Sequence, residues 1–452
     1  MHSSEFFSET DLALFEQGTH YGLYKRFGAH PVDYHGKLGI YFSVWAPHAK
    51  KVSLVGNFNG WDQNTHEMTQ IGDSGIYEIF TTDINVGDLY QYAILTEDDQ
   101  VIHKADPYAY ATESGDGASS IVTKLSNIRW KDKNWMSKKA KYDPINMPVS
   151  IYEVHPGSWK MHRNENGSWY YNYKELASEL CLYCKQMGYT HVELIGIPEY
   201  HKEESLGYQV TSYYAPTSRY GGMTDFSLLV NELHENNIGV ILDWSPAYFS
   251  NEPRSLCMFD GKPLYEYEDM ERRRVENADA STFNFGDPKV CDFLISNALY
   301  WIEQYHIDGL RVNSVSAMIY VDEKNKTNEN HEAIVFLQKL NDVIKSRFPE
   351  TITIADESCA YLTVTVPTTK QGLGFTFKWK SLWMNDFLNY LGYDPYFRQF
   401  NHENLIKTIR SNGTEHFILP VSHEEFRTAE GILFNRIHGN KVEKIANIKA
   451  AY

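Results

Sequence analysis

The sequence predicts an immunoglobulin-like β-sandwich followed by a TIM-type β/α barrel that is incomplete, lacking its eighth strand and a C-terminal β-domain. Three observations lead there. Over residues 39–122 apolar and polar residues alternate with period two between turn clusters, the pattern of short half-buried strands. After Pro148 the rhythm changes to short apolar runs separated by amphipathic helical stretches, as in parallel β/α units. The chain reaches Tyr452 after the seventh such unit. Its 452 residues also exceed one core, since single cores stop growing near ~250–300 residues.

Residues 1–27 form an N-terminal segment that is polar and acidic over 1–18, without the basic start and apolar run of a leader. The sandwich spans 28–125, with strands expected over 40–45, 51–55, 76–80 and 90–94. Its turn Asn57-Phe58-Asn59-Gly60-Trp61 either presents a tryptophan to carbohydrate or folds that ring back on the sandwich. Residues 126–148, rich in Lys, Asp and Trp, read as a linker. The barrel occupies 149–452. Its seven strands are expected over 149–154, 191–195, 239–243, 308–312, 351–355, near 374–377, and over 417–420.

The first barrel helix carries Leu176, Leu180, Tyr183 and Met187 on one face, with Asn172 as N-cap, Glu175 completing a capping box and Gly188 as C-cap. Further connecting helices are expected over 224–234, 287–302, 332–344 and 442–451. A barrel is free of sheet edges only when an eighth strand joins the first to the seventh. The outer strands are therefore expected to keep open edges, and a protein partner covering the open barrel edge is the partner this predicts.

Forty-two Lys and Arg against 59 Asp and Glu give a formal charge of -17. That balance repels phosphate backbones and anionic lipid, which excludes nucleic acid and membrane as partners. No run of eighteen apolar residues occurs. Cys181, Cys184, Cys257, Cys291 and Cys359 are an odd, scattered set that suits a reducing, cytoplasmic compartment. Cys181-x-x-Cys184 lies mid-helix with no second pair, so it reads as two buried structural thiols. No metal and no cofactor are expected.

Function in such barrels collects at the C-terminal ends of the strands. The third strand ends in Asp243-Trp244-Ser245-Pro246-Ala247-Tyr248 and the fourth in Asp308-Gly309-Leu310-Arg311-Val312-Asn313. The fifth ends in Ala355-Asp356-Glu357, and the seventh in Leu419-Pro420-Val421-Ser422-His423-Glu424. Carboxylates at three strand ends with Arg311 among them make a charged mouth that core packing does not require.

On these residues, and on Gly56-Asn57-Phe58-Asn59-Gly60-Trp61, Tyr152-Glu153-Val154-His155, Gly207-Tyr208-Gln209-Val210-Thr211 and Trp383-Met384-Asn385-Asp386, the sequence resembles the glycogen branching enzymes of glycoside hydrolase family 13. The resemblance implies an α-glucan partner, and a retaining reaction that passes an α-1,4 chain to a 6-hydroxyl through a covalent glycosyl ester. It also implies the site. Asn313 stands at the nucleophile position, where the family pattern has Asp. Asp356 stands at the acid/base position in place of Glu, and Glu424 at the position of the transition-state-stabilising Asp. Tyr248, also expected among the substrate-binding residues, stands where the pattern has His. Tyr208, Gln209, Asp243, Arg311 and His423 match it and are expected to bind substrate.

An amide is a poor nucleophile and supplies no charge to an oxocarbenium ion, so the ester route is expected to be blocked. A branching-enzyme homologue with impaired or lost catalysis follows. The alternatives are a non-catalytic glucan-binding or regulatory partner, and a decayed fragment. One further expectation concerns Arg311, whose family partner is the missing carboxylate. A buried guanidinium needs compensating charge, so it is expected to lean on Asp243, Asp356 or Glu424.

Overall fold

The computed structural model describes residues 4–113, 119–125, 128–141, 143–161, 163, 167, 169–275, 278–322, 327–356, 361–410, 415–423 and 432–451. The sandwich comprises β1 (Gly28–Tyr34), β2 (Lys37–Trp45), β3 (Lys51–Gly56), β4 (Thr69–Gln70), β5 (Ile76–Thr81), β6 (Leu89–Leu95), β7 (Val101–Lys104) and β8 (Ser120–Ile121). One antiparallel sheet runs β1-β2-β5-β4 and the other β3-β6-β7, with β8 also on β6. The β1–β2 hairpin turns at His35 and Gly36, both at positive φ, which matches the twist of the flanking strands.

From Ile40 onward β2 is buried on both faces, beyond what alternation predicts. The cause lies in the N-terminal segment. Its helix Glu9–Glu16, capped by Ser8 and Asp11, sets Phe15 edge-on against Trp45, while Phe6 stacks on Tyr41. Trp61 sits at the tip of its turn, 40 % exposed, so the ring does not fold back into the sandwich core.

The second body is a curled parallel sheet of seven strands: β9 (Ile151–Val154), β10 (His191–Leu194), β11 (Gly239–Trp244), β12 (Gly309–Val312), β13 (Ile352–Ala355), β14 (Phe377–Trp379) and β15 (Phe417–Ile418). They are paired in chain order, as consecutive β/α units require. The sixth strand starts three residues after its predicted position, because Gly374 at φ +81 belongs to the preceding turn. Ile241, Ile352, Ile354, Phe377 and Trp379 fill the barrel interior, separate from the larger core outside the sheet.

The helix Tyr173–Met187 has the predicted capping box of Asn172 and Glu175, and Gly188 ends it in the left-handed region. Its buried face runs through Leu176, Leu180, Cys181 and Cys184, however, and Met187 is 52 % exposed. Burial pushes the thiols of Cys181 and Cys184 up to about 12 and about 11, as structural thiols require. Cys359 lies outside the described residues.

Residues 126–148 do more than connect. They contain a helix, Lys133–Lys139, docked under the barrel. Trp135 donates its indole N–H to Asp308 at 2.9 Å, and Lys139 pairs with the same carboxylate at 3.1 Å. Asp132 faces His234 and His306 at 3.2 and 2.6 Å. No helix among the described residues is long and apolar enough to cross a membrane.

Candidate active site

Register places the charged residues of the barrel mouth side by side. Asp243 on β11 pairs with Arg311 on β12, and Arg311 pairs in turn with Ile354 on β13. Parallel partners share a face, so Asp243 and Arg311 both point into the barrel above Ile241 and Gly309. Arg311 is fully buried. Its Nη1 donates to Asp243 Oδ1 and Oδ2 at 2.9 and 2.8 Å, and Nη2 donates to Asp356 Oδ2 at 2.9 Å. The guanidinium lies 3.9 Å above the Trp379 ring. The expected lean toward Asp243 and Asp356 is therefore what the fold provides. Burial works against the guanidinium charge, but the Coulombic pull of Asp243 and Asp356 overcomes it, and Arg311 stays protonated.

Tyr208 completes this cluster. Its hydroxyl donates to Asp243 Oδ2 at 2.5 Å and accepts from Arg311 Nη1 at 3.2 Å. The loop that carries it is fixed where Gly207, at φ +94, crosses Gly196, at φ +69. A Cβ on Gly207 would stand 2.2 Å from the Gly196 Cα, so neither position accepts a side chain. Burial raises the Asp243 pKa, while Arg311 and the Tyr208 hydroxyl hold it down.

Asn313 closes the end of β12 and donates its backbone N–H to Trp244 O at 2.9 Å. Its Oδ1 accepts from Ser314 Oγ at 2.6 Å, and its Nδ2 lies 3.4 Å from Asp356 Oδ2. Ser314 is in the left-handed region, at φ +56, an uncommon conformation for a residue with a Cβ. Tyr248 reaches the group indirectly, its hydroxyl 3.3 Å from Ser314 Oγ.

His423 approaches from the seventh strand end. Its Nδ1 is 2.6 Å from Glu153 Oε1, which also accepts its backbone N–H at 3.1 Å. The imidazole lies nearly parallel to the Tyr208 ring, with centroids 6.1 Å apart. Burial opposes ionisation of Glu153, yet its bonds to His423 bring its pKa below the usual value. Glu424 lies outside the described residues, as do Glu357 and Glu425.

Tyr208, Asp243, Arg311, Asn313 and Asp356 thus form one bonded group, with Tyr248 and His423 at its margins. The sequence reading missed Glu153 and Glu193 as site residues. Glu193 is level with Glu153 in the β9–β10 register, and its Oε1 is 3.8 Å from Arg311 Nε. Burial pushes the Glu193 pKa well up, against the opposing pull of Arg311. The available signal was a glutamate inside an otherwise apolar strand, at an inward position.

Among the described residues, the buried polar atoms at the mouth without a hydrogen-bond partner include Glu193 Oε1, Gln209 Oε1, His423 Nε2 and His155 Nε2. Burial lowers the His155 pKa to about 4, leaving its ring neutral. Buried groups in this state are costly unless something else completes them, about 1–3 kcal/mol each. A polyhydroxyl ligand supplies both donors and acceptors, and the arrangement has the chemistry to bind one.

Residues 26–109 match the family described as Carbohydrate-binding module 48 (Isoamylase N-terminal domain). Over its whole length the chain is 44% identical to a 1,4-alpha-glucan branching enzyme GlgB of Butyrivibrio fibrisolvens, of which it covers 72%. A GlgB of Halothermothrix orenii is 45% identical over 98% of this chain, which again covers 72% of that protein. A Salmonella typhimurium crystal structure bearing an alpha-amylase name superposes with a TM-score of 0.63 at 21% identity, over 85% of this chain and 59% of that one. It supports the fold alone. With relatives this similar along its full length, the chain belongs to the 1,4-alpha-glucan branching enzyme GlgB family.

Proposed function

We propose that this protein binds α-1,4-glucan in a branching-enzyme mouth but forms no glycosyl ester, so that it recognises its polymer without remodelling it. The observation that carries the reading is the state of Asn313. At the position where the family pattern has a carboxylate, a neutral amide has its oxygen occupied by Ser314 Oγ at 2.6 Å. A retaining mechanism needs two carboxyl groups, one to attack the anomeric carbon and one to shuttle the proton. The first is absent.

The second is altered as well. Asp356, one methylene shorter than the family's Glu, is tied to Arg311 at 2.9 Å. A carboxylate committed to a guanidinium is a poor proton donor. Removing the nucleophile of a comparable covalent enzyme costs roughly 10⁴–10⁶-fold in rate. Glu424 at the third position adds a methylene of unwanted reach.

Binding draws on different atoms. Tyr208 is a stacking ring, and the open polar atoms of Gln209 and His423 are complementary to sugar hydroxyls. The charge of -17 favours a neutral polymer over nucleic acid or a lipid surface. The free, buried thiols of Cys181, Cys184 and Cys291 suit a cytoplasmic setting.

The test is affinity electrophoresis of the purified chain in amylopectin, paired with an iodine-stain branching assay. Retarded migration with no new α-1,6 joints is the expected result. Branching at rates like those of active relatives overturns the loss of catalysis, and unretarded migration overturns glucan binding. In the double variant Asn313→Asp with Asp356→Glu, recovered branching would locate the defect in those two side chains.

A further inference from the structure

At the foot of the barrel, opposite the mouth, lies a cavity of about 290 Å³. Its roof is the start of the sheet, made by His191 of β10, Asp308 just before β12 and Ile352 of β13. Its floor is the helix Lys133–Lys139, and Met147 closes one side. The roof strands are joined without a break through β11, and no residue of β9 or β15 lines the cavity. The outer edges of the sheet therefore do not form it.

The shape of the cavity is set before anything enters. Trp135 is pinned by its indole N–H on Asp308 at 2.9 Å, by the His234 ring stacked on it at 5.4 Å, and by His191 edge-on at 6.3 Å. The start of β11 makes room for this arrangement. A Cβ on Gly239 would stand 2.7 Å from His191 Nε2 and 3.0 Å from Trp135 Cζ2, so any other residue there would displace both rings. Walls held in this way cost a ligand little ordering.

The lining specifies what fits. In the deep end Asp308 already accepts from Trp135, Lys139, His234 and the Val240 amide, so sugar hydroxyls would find its carboxylate taken. Burial lowers the His191 pKa to about 4, which leaves that ring neutral. Lys138 and Lys139 are balanced by Glu350 and Asp308, and the lining carries no net charge. A charged ligand would enter without a counter-ion. An apolar cavity of about 150 Å³ takes one benzene ring, so this volume suits two fused rings.

The rim supplies one open polar group. Asn237 lines the cavity at φ +60, its backbone N–H held by the His234 carbonyl at 2.9 Å. Among the described residues its side-chain carboxamide makes no hydrogen bond. A carboxamide presents a donor and an acceptor side by side, and its complement is another carboxamide. We propose that the cavity at the barrel foot binds an uncharged, flat, two-ring aromatic molecule bearing one carboxamide, its rings against Trp135 and Ile352 and its carboxamide paired with Asn237. This does not rest on glucan binding, and either reading can fail alone.

The test is titration calorimetry of the full chain with 2-naphthamide, naphthalene and 2-naphthoate. The expected result is sub-millimolar binding of the amide, with the hydrocarbon at least fivefold and the anion at least tenfold weaker. Two variants at exposed positions locate the molecule. Met147→Trp, which fills the open side, should weaken the amide at least tenfold. Asn237→Gly, which keeps the backbone conformation, should bring amide and hydrocarbon within about twofold of each other. Should either variant not fold, the three compounds on the unaltered chain, with and without maltoheptaose, decide the matter. No binding of the amide overturns the proposal, and so does its displacement by maltoheptaose or an unchanged affinity in Met147→Trp, since both place it elsewhere. Naphthoate binding as tight as the amide overturns the uncharged ligand, and an undiminished amide preference in Asn237→Gly overturns the pairing with Asn237.

Discussion

At the foot of the barrel Asp308 takes donors from Trp135, Lys139, His234 and the Val240 amide, and Asp132 holds the other face of His234 together with His306. At the mouth a group of similar residue types gathers around Arg311, yet among the described residues Glu193, Gln209, His423 and His155 each keep a buried polar atom with no hydrogen-bond partner. Both clusters are buried and both carry opposite charges. What separates them is completeness. A network whose donors and acceptors are matched internally holds elements together, here the helix Lys133–Lys139 against the strands. A network with open valences has bonding capacity left over for a ligand.

The largest expected effect breaks the complete cluster. Asp308→Ala leaves Lys139 and His234 buried without their carboxylate and should cost about 3–5 kcal/mol, read as a lower urea midpoint. A mouth counterpart sharpens the contrast. Gln209→Leu removes one open acceptor and should leave the midpoint within about 1 kcal/mol, while glucan retardation weakens.

A pH series separates the groups at the foot. Burial alone would lower the His234 pKa, but Asp308 and the bonds to Asp132 and Asp308 raise it above its ordinary value. Its stabilisation is therefore present below the unfolded value of ~6.5 and fades as pH rises through the higher folded one. Asp308 behaves oppositely. Burial opposes its charge, yet Lys139 and His234 hold its pKa far below normal, so its contribution is full above ~3.9 and fades in acid. The unaltered chain should show denaturation midpoints that decline above pH ~6.5, and His234→Asn should lose that decline. The smallest expected effect is at the sandwich tip, where Trp61→Ala should change stability by less than about 0.5 kcal/mol.

Parallel strands buried on both faces read as plain apolar runs, and for that reason all seven were legible, along with their order. A charge inside such a run stands out, which made Asp243 and Arg311 visible and the partners of Arg311 foreseeable. Glu193 and Glu153 were harder, because a glutamate in a strand declares its importance only once register shows which way it points. The helix Lys133–Lys139 was hidden by its own composition. Its lysines suggest solvent, and only the tertiary bond from Trp135 to Asp308 explains why it is ordered. Met187 misled in the reverse sense, fitting the helical spacing yet facing outward, since the smaller Ala177, Cys181 and Cys184 allow closer packing.

The contact between Gly196 and Gly207 has a kinetic meaning. With the two backbones touching, the Tyr208 ring is a pre-organised rim and not a closing flap. For a polymer bound as proposed above, the loop under this ring then has no ordering left to complete, so its part in capture should carry a shallow temperature dependence.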